Sequence, residues 1–333
     1  MSTMAMSPPT RSDNAIEPVA RPSGVKQEAY YGLPFLKRPL WGWEISLYFF
    51  FEGVSSGAFL FSAMAELFGG RRRRGLVRLS RYMACATMLP CPAFLIKDLG
   101  RPERFLHMLR IVKWTSPMSV GAWALNAYGQ QVTLLALLSL APRLPRPLRR
   151  LLSVVPERFV MLSALPFGLI MAAYPGVLLE TTSVPAWSTT KFLGPLIVAS
   201  SVSTAAAALE LAEPGKHAEV DTLGQVAHAL EAAVLGAYLN EAGPAARAVT
   251  QGHYAPLFWA GAVGAGVVAP LVMGLFRPKR STRLLSSLLS LAGGLALKWV
   301  LVHAGRESAL DADANRHASR PTPNAPGWDA RKV

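Results

Sequence analysis

The chain holds two cysteines in 333 residues, and only 16% of it is charged, well under the roughly 25% of ordinary soluble domains. Acids are the scarcer sign: 20 Asp and Glu stand against 34 Lys and Arg, for a net charge of +14. Two cysteines cannot hold an iron–sulfur cluster, which usually takes about four thiolates. Cys85 and Cys91 fall in one hydrophobic run, at a spacing that points them in different directions on a helix, so a disulfide between them is not expected. There is no Walker loop, no GxSxG and no HExxH. The six histidines show no metal-ligand spacing, and only His228 lies deep in an apolar run. A transmembrane haem pair, which needs two facing histidines at matching depth, is therefore not expected. Residues 1–25 are rich in Ser, Pro and small polar residues and lack the apolar core of a cleavable signal peptide.

What the chain does have is long hydrophobic runs, and 51% of it is hydrophobic. Eight runs approach the roughly 20 residues needed to cross a bilayer: 44–67, 77–96, 119–140, 159–180, 191–211, 223–240, 256–276 and 282–304. The sixth is the weakest, with His228 and Glu231 in its middle. Spanning segments must satisfy their backbone internally, and barrel strands would be shorter and alternating. The expected fold is an all-α membrane protein of about eight transmembrane helices, arranged as two four-helix bundles, although the two halves share no clear sequence symmetry. The expected division is an N-terminal tail over 1–40, a transmembrane domain over 41–306 and a C-terminal tail over 307–333, with both tails largely disordered.

The positive charge is unevenly distributed. With eight spans, the odd-numbered loops carry sixteen basic residues, including Arg71 to Arg74, Arg149, Arg150, Arg280 and Arg283, against seven in the even-numbered loops. The positive-inside rule puts the odd loops in the cytoplasm and leaves both termini and the 97–118 loop outside. The RRRR run at 71–74 reads as a topology anchor in preference to a nucleic-acid patch.

Chemistry-bearing residues concentrate at one membrane edge, in KDLGRPERFLHMLRIVKWTSPMSVG at 97–121. Asp98 can serve as a proton acceptor or can simply pair with Arg101 or Arg104. His107 titrates near neutral pH, or is an ordinary amphipathic side chain. Trp114 fits an interfacial aromatic belt. Ionisable groups inside spans are costly and therefore candidates for function. Glu52 lies within the first span and is followed by Gly53, Ser55, Ser56 and Gly57, which let a helix or a flat ligand approach. Pro90 and Pro92 should kink the second span. Asn126 and Gln130 lie one turn apart in the third. His228 and Glu231 share a face, and Lys298 needs a partner or a route to the interface. These groups suit a proton route or a structural network of buried charge. Glu66, beside the Arg run, reads as half of a salt bridge.

Four stretches resemble the NrfD/PsrC family of polysulfide reductase-like integral membrane subunits. They are WGWEISLYFFFEGVSSGAFL at 41–60, DLGRPERFLHML with TSPMSVGAW across 98–123, YPGVLLETTSVPAW at 174–187 and LAGGLALKWVLVHAGRES at 291–308. The resemblance implies a helical bundle with no haem or iron–sulfur cluster of its own. Such subunits pass electrons between the membrane quinone pool and an extrinsic ferredoxin-like iron–sulfur subunit. That subunit in turn serves a catalytic molybdopterin subunit or a multihaem cytochrome c. Some members have lost a working quinone site, and others couple electron flow to proton transfer. Carried onto this chain, the motif is Asp98 to Arg104 with Ser116, Met118 and Gly121. The expected site therefore comprises Glu52, Asp98 and His107 for proton chemistry, and Arg101, Arg104, Trp114, Ser116, Met118 and Gly121 around an exchangeable quinone. The expected location is a bacterial inner membrane. A passive membrane anchor, or a proton-coupled transporter using Glu52, Glu231 and Lys298, is the alternative.

Overall fold

A computed structural model describes residues 36–69, 73–276 and 279–319. Among these residues it contains helices and connecting turns and no strand. The first helices are α1 (Trp43–Phe68), α2 (Arg74–Met88), α3 (Cys91–Asp98), α4 (Glu103–Met108) and α5 (Pro117–Leu140). They are followed by α6 (Arg146–Ser153), α7 (Glu157–Glu180), α8 (Pro185–Ser188), α9 (Leu193–Ala212) and α10 (Ala218–Ala242). The chain ends with α11 (Arg247–Thr250), a π-helical stretch (Leu257–Val268) continued by α12 (Ala269–Leu275), then α13 (Arg280–Ser308) and α14 (Ala312–Ala318).

Local chemistry explains the boundaries. The expected kink at Pro90 and Pro92 is a break: α2 stops at Met88 and α3 restarts at Cys91 with proline in its first turn. Ser116 caps α5, its hydroxyl accepting from the Ser119 amide at 3.4 Å, and Pro117 occupies the first helical position. Pro166 and Pro175 both lie inside α7. An apolar helix tolerates them because neighbouring groups re-satisfy the freed carbonyls.

Six helical segments are long and apolar enough to cross a membrane: Trp43–Phe68, Arg74–Asp98, Glu157–Glu180, Leu193–Ala212, Leu257–Leu275 and Arg280–Ser308. Helices α5 and α10 match the expected runs at 119–140 and 223–240 in position. They are of similar length, 24 and 25 residues, but more polar. Helices α1 and α9 form the middle of the bundle, with 78% and 72% of their apolar windows buried, against 28% for the α2–α3 and 257–275 segments. Helix α1 packs on α2, α3, α7, α9 and α13, and α9 packs on α7, α10 and α13. The small residues after Glu52 serve this crossing. A Cβ on Gly57 would strike the Ser201 carbonyl and Ala205 of α9, so that stripe receives a helix.

The stretch expected as a disordered tail from 307 is helical as far as it is described. Helix α13 runs to Ser308, and Asp311 caps α14 by accepting from the amides of Asp313 and Ala314. Buried Asn315 donates to the Ala309 carbonyl at 2.9 Å, and this anchors the segment. Residues 1–35 and 320–333, along with Arg71, Arg72 and Arg277, lie outside the described residues.

Candidate functional site

The bundle has two distinct ends. Helix α1 starts, α3 ends and α5 starts at one of them, together with the end of α7 and the end of α13; this is the loop end. At the other, Arg-rich end, α1 ends and α2, α10 and α13 start.

A cavity of about 90 Å3 lies at the loop end. Trp41, Ile45, Tyr48 and Phe49 form one wall, Leu95, Asp98 and Leu99 a second, and Met118, Gly121, Ala122 and Leu125 a third. Tyr174 and Leu178 of α7 close its side, and Phe105 and Met108 of the short helix α4 cover it. Gly121 is required there, because a Cβ would collide with the ring and hydroxyl of Tyr174. Its absence leaves room for the Tyr174 ring and hydroxyl over α5. Asp98 senses the backbone of Gly42 and the charge of Arg306. Arg306 donates to the Trp41 carbonyl, and the Trp41 ring stacks on Trp187 at 5.5 Å. Trp187 is itself fixed by its indole N–H donating to the Leu301 carbonyl at 2.8 Å.

Glu52 sits behind this cavity, one helical turn along α1 from Tyr48. It is fully buried, and neither carboxyl oxygen has a hydrogen-bond partner among the described residues. Buried polar groups are rarely left so. Tyr48, Tyr128, Tyr174 and Lys298 all lie near it. Two of these tyrosines, Tyr48 and Tyr174, are cavity wall. Lys298 is also fully buried; its ammonium donates to Ser200 and interacts with the charges of Glu231 and Glu52. Ser203 donates to Glu231 at 2.7 Å, and His228 Nδ1 lies 3.7 Å from the same carboxylate. The expected shared face of His228 and Glu231 is thus present.

The loop residues are distributed differently. Asp98, Met118 and Gly121 are cavity wall. Arg101, Arg104 and His107 are exposed on or beside α4, and Trp114 is 82% exposed. Ser116 is a helix cap. Neither Arg101 nor Arg104 forms an ion pair with Asp98 among the described residues; the groups around its carboxyl are the Gly42 backbone, Glu44 and, from the far end of the chain, Arg306. Lys97 instead lies over the Trp43 ring at 4.1 Å and 3.7 Å from Glu44. Gln130 donates to Asn126 on the outer surface of α5, away from the cavity. Tyr48 and Tyr174 lie inside two of the stretches that carry the family resemblance, but nothing in the sequence placed them, or Tyr128, beside Glu52; they meet only through the packing of α1, α5 and α7.

The Arg-rich end is held by ion pairs. Arg81, 2% exposed, reaches Glu66 at 2.6 Å and also contacts Glu157, so the salt bridge expected of Glu66 is present. Arg283 pairs with Asp221 and, at 3.3 Å, with Glu210. Arg73 meets Glu219 at 2.8 Å. Hydrogen bonding to His217, 2.9 Å away, and then to Lys216 holds the Glu213 carboxyl below its ordinary range. A second cavity, of about 480 Å3, opens among these groups. Cys85 and Cys91 are free thiols. Among the described residues no group of three His, Cys, Asp or Glu is placed to hold a metal ion.

Residues 33–308 match the family described as Polysulphide reductase, NrfD. The sequence is 28% identical to the C chain of the polysulfide reductase of Wolinella succinogenes over 312 residues, covering 80% of this protein and 94% of the relative. It is 25% identical to protein NrfD of Escherichia coli over 305 residues, covering 80% and 95%. A shorter match, 33% identical over 88 residues, covers 26% of this protein and 20% of the C subunit of the selenate reductase of Mesobacillus selenatarsenatis. Coverage of this extent, on a helical bundle with six segments fit to cross a membrane, makes the chain a member of the NrfD family of polysulfide reductase-like membrane proteins.

Proposed function

We propose that the chain is the quinone-interacting membrane subunit of a multisubunit reductase, exchanging electrons between the quinone pool and an extrinsic iron–sulfur subunit. The observation that carries this reading is the loop-end cavity: a small, mostly apolar space whose lining includes an aspartate and two tyrosines, beside a buried glutamate. A quinone head group is flat and apolar with two opposed carbonyls. Three polar side chains in its lining, Asp98, Tyr48 and Tyr174, are of the kind that hydrogen-bonds such carbonyls. At about 90 Å3 the slot is smaller than the roughly 300–1,000 Å3 that encloses whole drug-sized ligands. It suits a head group whose tail leaves between helices.

The cavity lies close to one surface, as electron transfer to a cluster outside the bilayer requires. The short helix above it and the turn that follows expose Leu106, Ile111 and Trp114, a surface suited to docking the iron–sulfur partner. In this reading α5 and α10 also cross the membrane, giving eight spans. Helices α1 to α3, α5 and α7 form one four-helix group, and α9, α10, the 257–275 segment and α13 the other. The Arg-rich end then faces the cytoplasm and the loop end faces outward, in a bacterial inner membrane. The redox partners further along would be a molybdopterin subunit or a multihaem cytochrome c, and the chain itself would carry no haem or cluster.

Purified with its partner subunits, the complex should reduce or oxidise a short-tailed quinone. The double variant Glu52→Gln with Asp98→Asn should lower that turnover by at least about tenfold, the equivalent of roughly 1.4 kcal/mol in the barrier. Unchanged turnover in the double variant overturns the assignment of the site. Ion movement by the isolated chain in vesicles, without any redox partner, would support a transporter instead.

A further inference from the structure

The segment that joins α5 to α7 takes no part in the slot. Residues 141–156 hold four arginines, Arg143, Arg146, Arg149 and Arg150, and no Asp or Glu. Prolines frame its helix: Pro145 and Pro147 start α6, and Pro156 stands before α7. Within α6, Arg146, Arg149 and Arg150 are spaced i, i+3 and i+4 and share one face. Leu148, Leu151 and Leu152 repeat that spacing on the opposite face. Leu152 is buried and Val155 packs against the core, so the helix is pinned to the bundle along one edge. The rest of its apolar side is open: Leu151 is 68% exposed, and Val154, just after the helix, 81%.

The neighbours of α6 fix its place. Helix α7 is one of the six segments fit to cross a membrane, and it begins at Glu157. Arg81 joins Glu157 to Glu66 near the end of α1. Helix α6 therefore lies at the Arg-rich end, where a spanning helix leaves the bilayer. A helix with leucine on one side and arginine on the other belongs in the plane of that surface, its apolar face toward acyl chains and its basic face toward head groups. Other arginines at this end have carboxylate partners: Arg81, Arg283 and, at 2.8 Å, Arg73 with Glu219. Arg143, Arg146, Arg149 and Arg150 are exposed and form no ion pair among the described residues. A soluble acidic partner would account for the arginines and leave Leu151 and Val154 uncovered.

We propose that α6 is an in-plane anchor that binds an anionic phospholipid in the leaflet at the Arg-rich end. Arg146, Arg149 and Arg150 take the phosphodiester oxygens, and Leu148, Leu151 and Val154 lie against the acyl chains. Every basic residue of the segment is arginine, whose planar fork donates two parallel N–H groups to a phosphate where lysine offers a point charge. Residues three and four apart have Cβ atoms about 5–6 Å from one another, close enough for several forks to meet one head group. The lipid site needs only that the chain sits in a membrane, and it stands or falls apart from the quinone reading.

The test is native mass spectrometry of the intact complex in detergent, titrated with short-chain phosphatidylglycerol, with phosphatidylcholine of the same chain length, and with glycerophosphoglycerol, the same anionic head group without chains. The tightest site should prefer phosphatidylglycerol over both by about tenfold or more. Arg146→Gln with Arg149→Gln and Arg150→Gln should weaken it about a hundredfold. The charge-preserving set Arg146→Lys, Arg149→Lys and Arg150→Lys should weaken it about tenfold, a loss that charge serving topology alone would not show. The melting temperature should stay unchanged in both, because these side chains are exposed. Equal affinity for the two lipids, or wild-type affinity in the folded glutamine variant, overturns the site. Glycerophosphoglycerol bound as tightly as the lipid assigns a soluble phosphate ester and overturns the membrane anchor. The wild-type comparison of the three compounds decides even where a variant fails to insert.

Discussion

At the loop end the cavity is about 90 Å3, walled by Trp41, Tyr48, Phe49, Leu95 and Leu125, with Asp98 as its acidic side chain. At the Arg-rich end it is about 480 Å3 and lined by Glu210, Asp221, Gln225, His228 and Arg283. One end is narrow and mostly apolar, and the other is roomier and lined by charged and polar groups. The difference extends to the supports. The slot is set by aromatic stacking and a glycine against Tyr174, which fix its width. The large cavity is set by ion pairs, which fix its charge. The bundle keeps these two kinds of lining at opposite ends.

Substitutions that act on one end and spare the other sharpen this contrast. The largest expected effect is Gly121→Leu, whose side chain must occupy the space taken by Tyr174 and the slot. Quinone turnover should fall about a hundredfold, near 2.7 kcal/mol, while thermal unfolding in detergent shows the bundle intact. Next is Arg81→Ala at the other end. It leaves Glu66 and Glu157 facing each other without their shared guanidinium. Because Glu157 is half exposed, the loss should be about 2 kcal/mol, less than the roughly 3–5 kcal/mol of a fully buried broken pair. It would be read as a lowered melting temperature with residual turnover per folded molecule preserved. Asp98→Asn alone should cost about tenfold in turnover, with little change in melting. Smallest are His107→Ala and Trp114→Ala, both exposed; quinone turnover with a chemical electron donor should stay within about twofold. A large loss with either would mean that the slot extends under α4 and that the two ends differ less sharply than their walls suggest.

Much of the architecture was legible in the chain. The helices at 43–68, 157–180 and 280–308 follow hydrophobic runs whose length is dictated by a bilayer. The break between α2 and α3 follows from Pro90 and Pro92. The buried acid–base groups Glu52, Glu231 and Lys298 were visible because charge stands out against apolar sequence. The site was only half legible. In the 97–121 loop, Asp98, Met118 and Gly121 face the slot while Arg101, Arg104, His107 and Trp114 face away. No periodicity distinguishes them, because the loop is cut into short helices and turns. The tyrosines at 48, 128 and 174 are ordinary membrane-helix residues until three helices bring them to Glu52. The helical extension to Ala318 depends on one buried asparagine, Asn315, and one cap, Asp311, in a stretch whose composition reads as tail.

The most direct measurement of where the ring binds is photolabelling of the intact complex with an azido-quinone, with the labelled peptides mapped by mass spectrometry. Labels on Tyr48, Met118 or Tyr174, competed away by excess quinone and lost in Gly121→Leu, are the expected result. Competable labels confined to the peptides around Asp221, Gln225 and Arg283 would place the quinone at the wrong end of the bundle and contradict the assignment of the slot.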